Sequence, residues 1–176
     1  MKEYEFVLSE IKDFTDPHVA WQNTLDYCNR EKPSDKWAKL PKPNIEKDVE
    51  DLLASLNDFH AKIKDLKIQQ LFFDVDTLNK PYTSLRASTD LNYSYASSKD
   101  HSIRSLIRLI NSYNKWKEPD TADSFTDYVL PLAYSGIIFV EALKRSHPFN
   151  MRIDWGFSEG DIFILYEDGK RVCKLE

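Results

Sequence analysis

The chain has 176 residues, of which 41% are hydrophobic and 13% aromatic, so it can bury the core of one domain and is not a disordered protein. Its formal net charge of −5 opposes the positive field that sequence-independent binding to nucleic acids or to an anionic membrane requires. We expect neither of those partners and expect a basic protein instead.

Glycines and cysteines are few, which excludes several classes of site. No glycine precedes Gly136, and the sequence contains neither the glycine-rich motif of a dinucleotide-binding loop nor that of a P-loop. We therefore expect no cofactor. Cys28 and Cys173 are too few for a disulfide framework and lack the spacing of metal ligands. We expect both to be reduced, with one bridge between them as the alternative. The N-terminus is charged where a signal peptide would be apolar, which predicts a cytoplasmic protein.

The first third of the chain predicts a strand, a helix and a loop. Tyr4 to Leu8 suits a short strand, and Asp16-Pro17 is typical of a helix start, which predicts a helix from Pro17 to about Asn29. Prolines and charges from Lys32 to Asn44 indicate a loop.

A long amphipathic helix is predicted to begin at Asn44. Apolar residues recur at helical spacing as far as Leu66, and acidic residues occupy the first turns, where they complement the helix dipole. We interpret these acids as a helix start rather than a metal site.

A buried strand from Ile68 to Val75 follows. The polar segment from Thr77 to Ser98 is either a long functional loop or a polar hairpin. A second helix is predicted to start near Lys99 or Asp100.

A third helix is predicted to begin between Thr121 and Ser124, with Pro131 kinking it or splitting off its first turn. Gly136 lies on its apolar stripe, where the missing side chain would let another element approach closely. Three strands close the chain, at 151–157, 161–167 and 171–175. The whole chain, residues 1–176, is predicted to be one α+β domain, with three to four helices on one face of a mostly antiparallel sheet and a C-terminal three-strand β-meander.

Asp74 and Asp76, at the end of the buried strand, are the sharpest catalytic candidates. Two carboxylates at i and i+2 can ligate Mg²⁺ or Mn²⁺ beside a phosphate. The triplet Asp74-Val75-Asp76 resembles the short acidic motif of metal-dependent glycosyl and nucleotidyl transferases. The resemblance covers only these three residues. It defines the alternative function, a divalent-metal-dependent hydrolase or transferase.

Two surfaces could bind other molecules. Arg104 and Arg108 lie one helical turn apart and could grip an anion. Tyrosines and acidic turns could form a surface for a basic protein, since tyrosine is enriched at interfaces and acidic rims speed association. That partner-binding set is Tyr82, Tyr93, Tyr95, Glu159, Asp161, Glu167 and Asp168.

The favoured prediction is a non-enzymatic, acidic, protein-binding domain. Immunity proteins, which neutralise the toxins of bacterial toxin pairs, share this general size and charge, although no motif carries a family resemblance. No sequence typical of a catalytic nucleophile is present either.

Overall fold

The structure is a computed structural model that describes residues 2–76, 82–92, 95–115, 128–146, 148–157 and 160–176. These residues form five α-helices, one 3₁₀ turn and a six-stranded sheet. The predicted α+β class and C-terminal meander are confirmed, with five helices where three to four were expected. In chain order the elements are α1 (Glu3–Lys12), α2 (Pro17–Glu31), the 3₁₀ turn Trp37–Lys39, α3 (Ile45–Ile63), β1 (Gln70–Asp76), β2 (Tyr82–Ser88), β3 (Tyr95–His101), α4 (Arg104–Asn114), α5 (Leu130–Arg145), β4 (Arg152–Gly156), β5 (Ile162–Glu167) and β6 (Lys170–Leu175).

The first element is a helix, so the strand predicted from Tyr4 to Leu8 is wrong. Phe6 and Ile11 belong to a buried stripe of α1, which packs on α2 and α5. The backbone N–H of Lys2 donates to the Glu5 carboxylate at 3.1 Å and closes the first turn. Tertiary packing therefore decides the conformation of a short apolar pattern that suits either element.

The next two helices begin where the sequence predicts. Asp16 accepts the backbone N–H of His18 at 2.8 Å, and Pro17 is the first residue of α2. Asn44 accepts the backbone N–H of Lys47 at 3.2 Å and caps α3. The segment between the two helices is irregular apart from the 3₁₀ turn, as predicted.

The sheet consists of two antiparallel three-stranded units joined by one parallel pair. Its strand order is β3-β2-β1-β4-β5-β6, and β1 runs parallel to β4. The polar hairpin, the second alternative for the segment after β1, is present as β2 and β3. Residues 77–81 and 93–94 of that segment lie outside the described ranges.

The helix predicted to start near Lys99 or Asp100 begins later, at Arg104. Pairing with β2 continues through His101, which lies beside Thr83. Strand pairing therefore outweighs the helical period at this boundary.

The central helix of the fold is α5, in which every residue from Leu130 to Val140 is buried. It contacts the other four helices as well as β1 and β4. The start predicted at 121–124 lies outside the described residues. Pro131 lies in the first turn of α5, where its missing N–H costs no helical hydrogen bond.

Gly136 lets β4 approach α5, as predicted. A Cβ atom added at Gly136 would lie 2.6 Å from Cζ2 of Trp155. The Trp155 ring is fully buried, and its indole N–H donates to Ser135 Oγ at 3.0 Å. The helix and the strand are thus in contact through a ring that lies directly on the backbone of Gly136.

The two faces of the sheet differ in chemistry. The described helices pack on the face that carries Phe73 and Trp155. The opposite face carries Phe72, Asp74 and Asp154, because side chains alternate along each strand. We call this side the distal face. All three of its named side chains are buried, and Phe72 lies outside the main hydrophobic core.

Both cysteines are free and buried, Cys28 in α2 and Cys173 in β6. Cys173 has a φ of +48°, near the place where β6 shifts register against β5.

Candidate functional site

Three carboxylates from distant parts of the chain influence the pKa values of two tyrosines. Glu3 lies in the first turn of α1, Glu31 ends α2, and Asp161 precedes β5. Burial raises the pKa of Tyr27, and Glu31 and Glu3 raise it further. Burial also raises the pKa of Tyr128, with added effects of Asp161 and Glu3. We call these five residues the acidic patch.

The rings of the acidic patch are held by packing and hydrogen bonding. Tyr27 stacks on Phe6 with their centroids 3.8 Å apart. The Tyr128 hydroxyl donates to the Asp161 carboxylate at 2.6 Å, and its ring lies 5.9 Å from that of Phe157. The Asp161 side chain is therefore fixed in place before any partner arrives.

Helix stability does not explain the position of Glu31. A carboxylate at the C-terminus of a helix faces the negative end of the helix dipole, which is unfavourable. Arg30 lies 3.1 Å from Glu31 and 5.1 Å from the Tyr27 ring centroid, but this exposed ion pair contributes under about 1 kcal/mol. An acidic residue at an unfavourable helix position, with no matching gain in stability, is typical of a functional surface.

Most of the acidic patch could not be found from the sequence. The sequence predicts Asp161 as a binding residue, whereas Glu3 lies just before the predicted strand Tyr4 to Leu8 and belongs to no predicted site. Tyr128 begins a long uncharged stretch that indicates only burial. The signal that unites these residues is their proximity in the fold.

The predicted tyrosines Tyr82 and Tyr95 both lie on the distal face. Tyr82 lies beside Asp76 at one end of β2, and Tyr95 lies near the other end. The Arg86 guanidinium is 5.0 Å from the Tyr95 ring centroid. Tyr93 is outside the described residues.

The predicted acidic turns do not join these tyrosines in one surface. Glu167 and Asp168 lie at the turn between β5 and β6, whereas Asp161 lies at the opposite end of β5. Glu167 accepts a hydrogen bond from Lys174 at 2.9 Å. Glu159 is outside the described residues, so the described members of the predicted set lie at separate places around the sheet.

The environment of Asp74 is that of a buried ion pair. Its Oδ2 lies 2.6 Å from Nη2 of Arg86, and the Asp74 side chain is 1% exposed. A guanidinium at this distance offsets the negative charge that a divalent cation would need, although Asp76 follows on the same face. Within the described ranges, no group of three His, Cys, Asp or Glu side chains could ligate a metal ion.

Arg104 and Arg108 are both exposed on α4 and both act on neighbouring side chains. Nη2 of Arg108 donates to Ser105 Oγ at 3.4 Å. The hydrogen bond from Lys47 lowers the pKa of Asp51, and Arg104 adds a smaller effect in the same direction. Arg104 therefore balances a charge within the protein, whereas Arg108 bonds a neutral hydroxyl, and the binding of an external anion by either arginine stays a prediction.

His101 lies in constrained, mostly buried surroundings. Its Nδ1 lies 2.9 Å from Ser55 Oγ, and its Nε2 is buried without a hydrogen-bond partner in the described part of the chain. Burial lowers the pKa of His101, and the opposing effect of Asp51 is smaller than that of burial. Lys99 adds to the lowering, and Asp48 opposes it.

We expect His101 to make the protein less stable as the pH falls below about 6.5. The folded state binds fewer protons than the unfolded state between the lowered pKa and the ordinary value of 6.5, so acid favours unfolding in that window. His101→Asn should reduce the loss of unfolding free energy between pH 7 and pH 5, as measured by urea denaturation. The exposed His18→Asn is the control for removal of an imidazole, and an equal effect of both variants would contradict the assignment.

No helix in the described ranges has both the length and the apolar character needed to cross a membrane. The chain matches no protein-family model, no curated protein and no solved structure.

Proposed function

We propose that the chain is a non-enzymatic protein-binding domain that neutralises a basic protein, as an immunity protein neutralises a toxin or nuclease. The observation that supports this function is the acidic patch. Its carboxylates come from three separate parts of the chain; Asp161 accepts a hydrogen bond from Tyr128, and Glu3 raises the pKa of both Tyr27 and Tyr128. Negative charge would speed the association with a basic protein, and the half-buried Tyr128 ring would add aromatic contact area.

The charge of the whole chain favours the same kind of partner. The net charge of −5 attracts a basic protein over distances of about one Debye length, roughly 8 Å at physiological salt. Two buried free thiols suit a reducing compartment, so the proposal places the protein in the cytoplasm.

The test begins by capturing the partner from a lysate of the host with the tagged protein and identifying it by mass spectrometry. Its association rate is then measured against the wild type and against the triple variant Glu3→Gln, Glu31→Gln, Asp161→Asn. We expect a basic partner and a rate that falls at least about tenfold in the variant at low salt. The salt dependence of the rate should weaken in parallel.

A matched variant separates the acidic patch from net charge alone. Glu50→Gln, Asp58→Asn and Asp65→Asn remove three carboxylates from exposed residues in and just after α3. We expect this variant to slow association less than about twofold, because these residues lie outside the patch. Equal slowing by both variants would overturn the assignment of the patch, and a partner that is not basic would overturn the function.

A further inference from the structure

The outer side of β3, an edge strand of the sheet, is open in the described part of the chain. β3 pairs with β2, and its backbone N–H and C=O groups bond to no other described segment. The pairing is regular over five consecutive residues, from Ser97 to His101, after a shift of register near Tyr95. The unpaired groups along such an edge are a template for one more strand.

The other edge strand, β6, is protected against such pairing. Nη2 of Arg171 donates to the carbonyl of Ile11, and α1 packs beside the strand. Cys173 has a positive φ, and the exposed Lys170 and Lys174 place charge along the strand. A covering element, an irregular backbone and lysines are the usual protections of a sheet edge.

The side chains of β3 leave its outer edge accessible. Ser98 and Asp100 are exposed on the distal face, whereas Ser97 and Lys99 are half-buried on the side of the helices. The Lys99 ammonium lies 3.1 Å from the carboxylate of Asp58 on α3, so it is already paired. Because the serine side chains are small, a further strand can approach to the usual spacing of about 4.8 Å.

The charge of the distal face beside β3 favours a basic segment. On β1, β2 and β3 this face carries three carboxylates and one guanidinium, which belong to Asp74, Asp76, Asp100 and Arg86. Arg86 is paired with Asp74 at 2.6 Å, and Asp100 forms no ion pair within the described ranges. A Lys or Arg side chain of an added strand would lie beside Asp100, and cross-strand pairs of opposite charge are stabilising.

Asp100 lies at the same end of the sheet as Asp161 of the acidic patch. The strand register aligns one row of residues across five strands, namely Asp100, Ser84, Asp74, Gly156 and Ile162. Asp161 directly precedes the last of these residues. Four strand spacings of about 4.8 Å place Asp100 and Asp161 roughly 19 Å apart. An interface of standard size spans that distance, so one partner can contact both residues.

We propose that β3 pairs with an extended segment of the basic partner, which adds a seventh strand to the sheet and places a Lys or Arg side chain beside Asp100. This inference rests on the proposed function and assigns a second contact to the same partner. A second copy of the chain is disfavoured as the occupant, because two molecules that each carry a net charge of −5 repel each other. Main-chain hydrogen bonds supply the affinity, and Asp100 supplies the preference for a cation.

The test is an NMR titration of the ¹⁵N-labelled protein that follows the backbone amides of residues 96–100. The probe is the acetylated and amidated peptide Lys-Thr-Lys-Thr-Lys, in which all three cations lie on one face of a strand. The matched probe carries glutamate in place of each lysine. We expect saturable shifts of the β3 amides and a Kd at least about fivefold lower for the lysine peptide.

Two further measurements separate strand pairing from attraction by net charge. The bound peptide should slow hydrogen exchange at alternate amides of β3, because every second N–H of an edge strand points away from its neighbour. In Asp100→Asn, the preference for the lysine peptide should fall below about twofold. The control variant Asp13→Asn removes an exposed carboxylate just after α1 and should keep the preference.

Equal affinities of the wild type for both peptides, or exchange at β3 that the peptide does not slow, would overturn the inference. Shifts of the β3 amides that follow protein concentration without peptide would assign the edge to a second copy and also overturn it. If the captured partner binds Asp100→Asn as tightly as the wild type but associates slowly with the acidic-patch variant, the function stands and the β3 inference fails. If the lysine peptide pairs with β3 while no basic partner exists, the proposed function fails and β3 remains a docking edge for basic strands.

Discussion

Gly156→Ala is expected to lower the free energy of unfolding by about 3–5 kcal/mol, because it combines a steric clash with backbone strain. Gly156 has a φ of +148°, and an added Cβ would lie 2.3 Å from the carbonyl oxygen of Asp161. The same oxygen accepts the backbone N–H of Phe157 at 3.1 Å, so it cannot withdraw without breaking the turn between β4 and β5. Urea denaturation followed by tryptophan fluorescence measures the loss.

Gly169→Ala is the matched control for the backbone contribution. Gly169 also has a positive φ, +70°, but the atom nearest to an added Cβ is Asn150 Oδ1, at 3.9 Å. We expect a loss of about 1 kcal/mol, which is the cost of a left-handed conformation alone. Equal losses at Gly156 and Gly169 would show that the contact with Asp161 has no effect.

Arg152→Met is expected to lower the free energy of unfolding by about 3–5 kcal/mol at pH 7, because it leaves a buried carboxylate without its cation. Nε of Arg152 lies 2.9 Å from both carboxylate oxygens of Asp154, and the Asp154 side chain is 0% exposed. The hydrogen bond from Gln70, at 2.6 Å, would remain, but it carries no formal charge. Adding Asp154→Asn should recover much of the loss.

The destabilisation caused by Arg152→Met should depend on pH, because the protonation of Asp154 does. Burial raises the pKa of Asp154, and the hydrogen bonds from Arg152 and Gln70 oppose that shift. The folded state therefore binds more protons than the unfolded state above the ordinary value of 3.8, so stability from this group is lost as the pH rises through the folded pKa. Removing Arg152 raises the folded pKa further, and the destabilisation should shrink as the pH falls from 7 toward 4.

Arg145→Met is the control for the loss of a guanidinium. Arg145 contacts Glu46 at 3.1 Å and Glu141 at 2.9 Å, and its side chain is 37% exposed. Such a pair is screened by water, so we expect a loss below about 1 kcal/mol. Similar losses in the two arginine variants would contradict the role assigned to burial of Asp154.

The sequence predicts elements well where burial leaves a clear apolar pattern, either a helical period or a continuous run. α3 and β1 show this, because one buries a long amphipathic stripe and the other is buried from Gln70 to Val75. α1 is mispredicted because its short apolar pattern suits a strand as well as a helix. The start of α4 is misplaced because strand pairing extends to His101 through polar residues that show no period.

The candidate site is predicted less well, for a different physical reason. Asp161 can be predicted as a binding residue because it lies at a predicted turn. Glu3 and Glu31 become candidates only because both act on Tyr27 in the folded protein. Sites assembled from distant residues leave no motif in the chain.

The parallel pairing of β1 with β4 raises the question of what sets the register between these two strands. No tight turn connects these strands, which are separated by the whole middle of the chain, so a turn cannot set their register. A slip of one residue would turn Asp74 toward the helices and Phe73 away from them. The cost of burying that carboxylate against apolar side chains penalises every odd-numbered slip. The buried charges of the distal face thus specify how the two halves of the sheet align, whether or not a partner is bound.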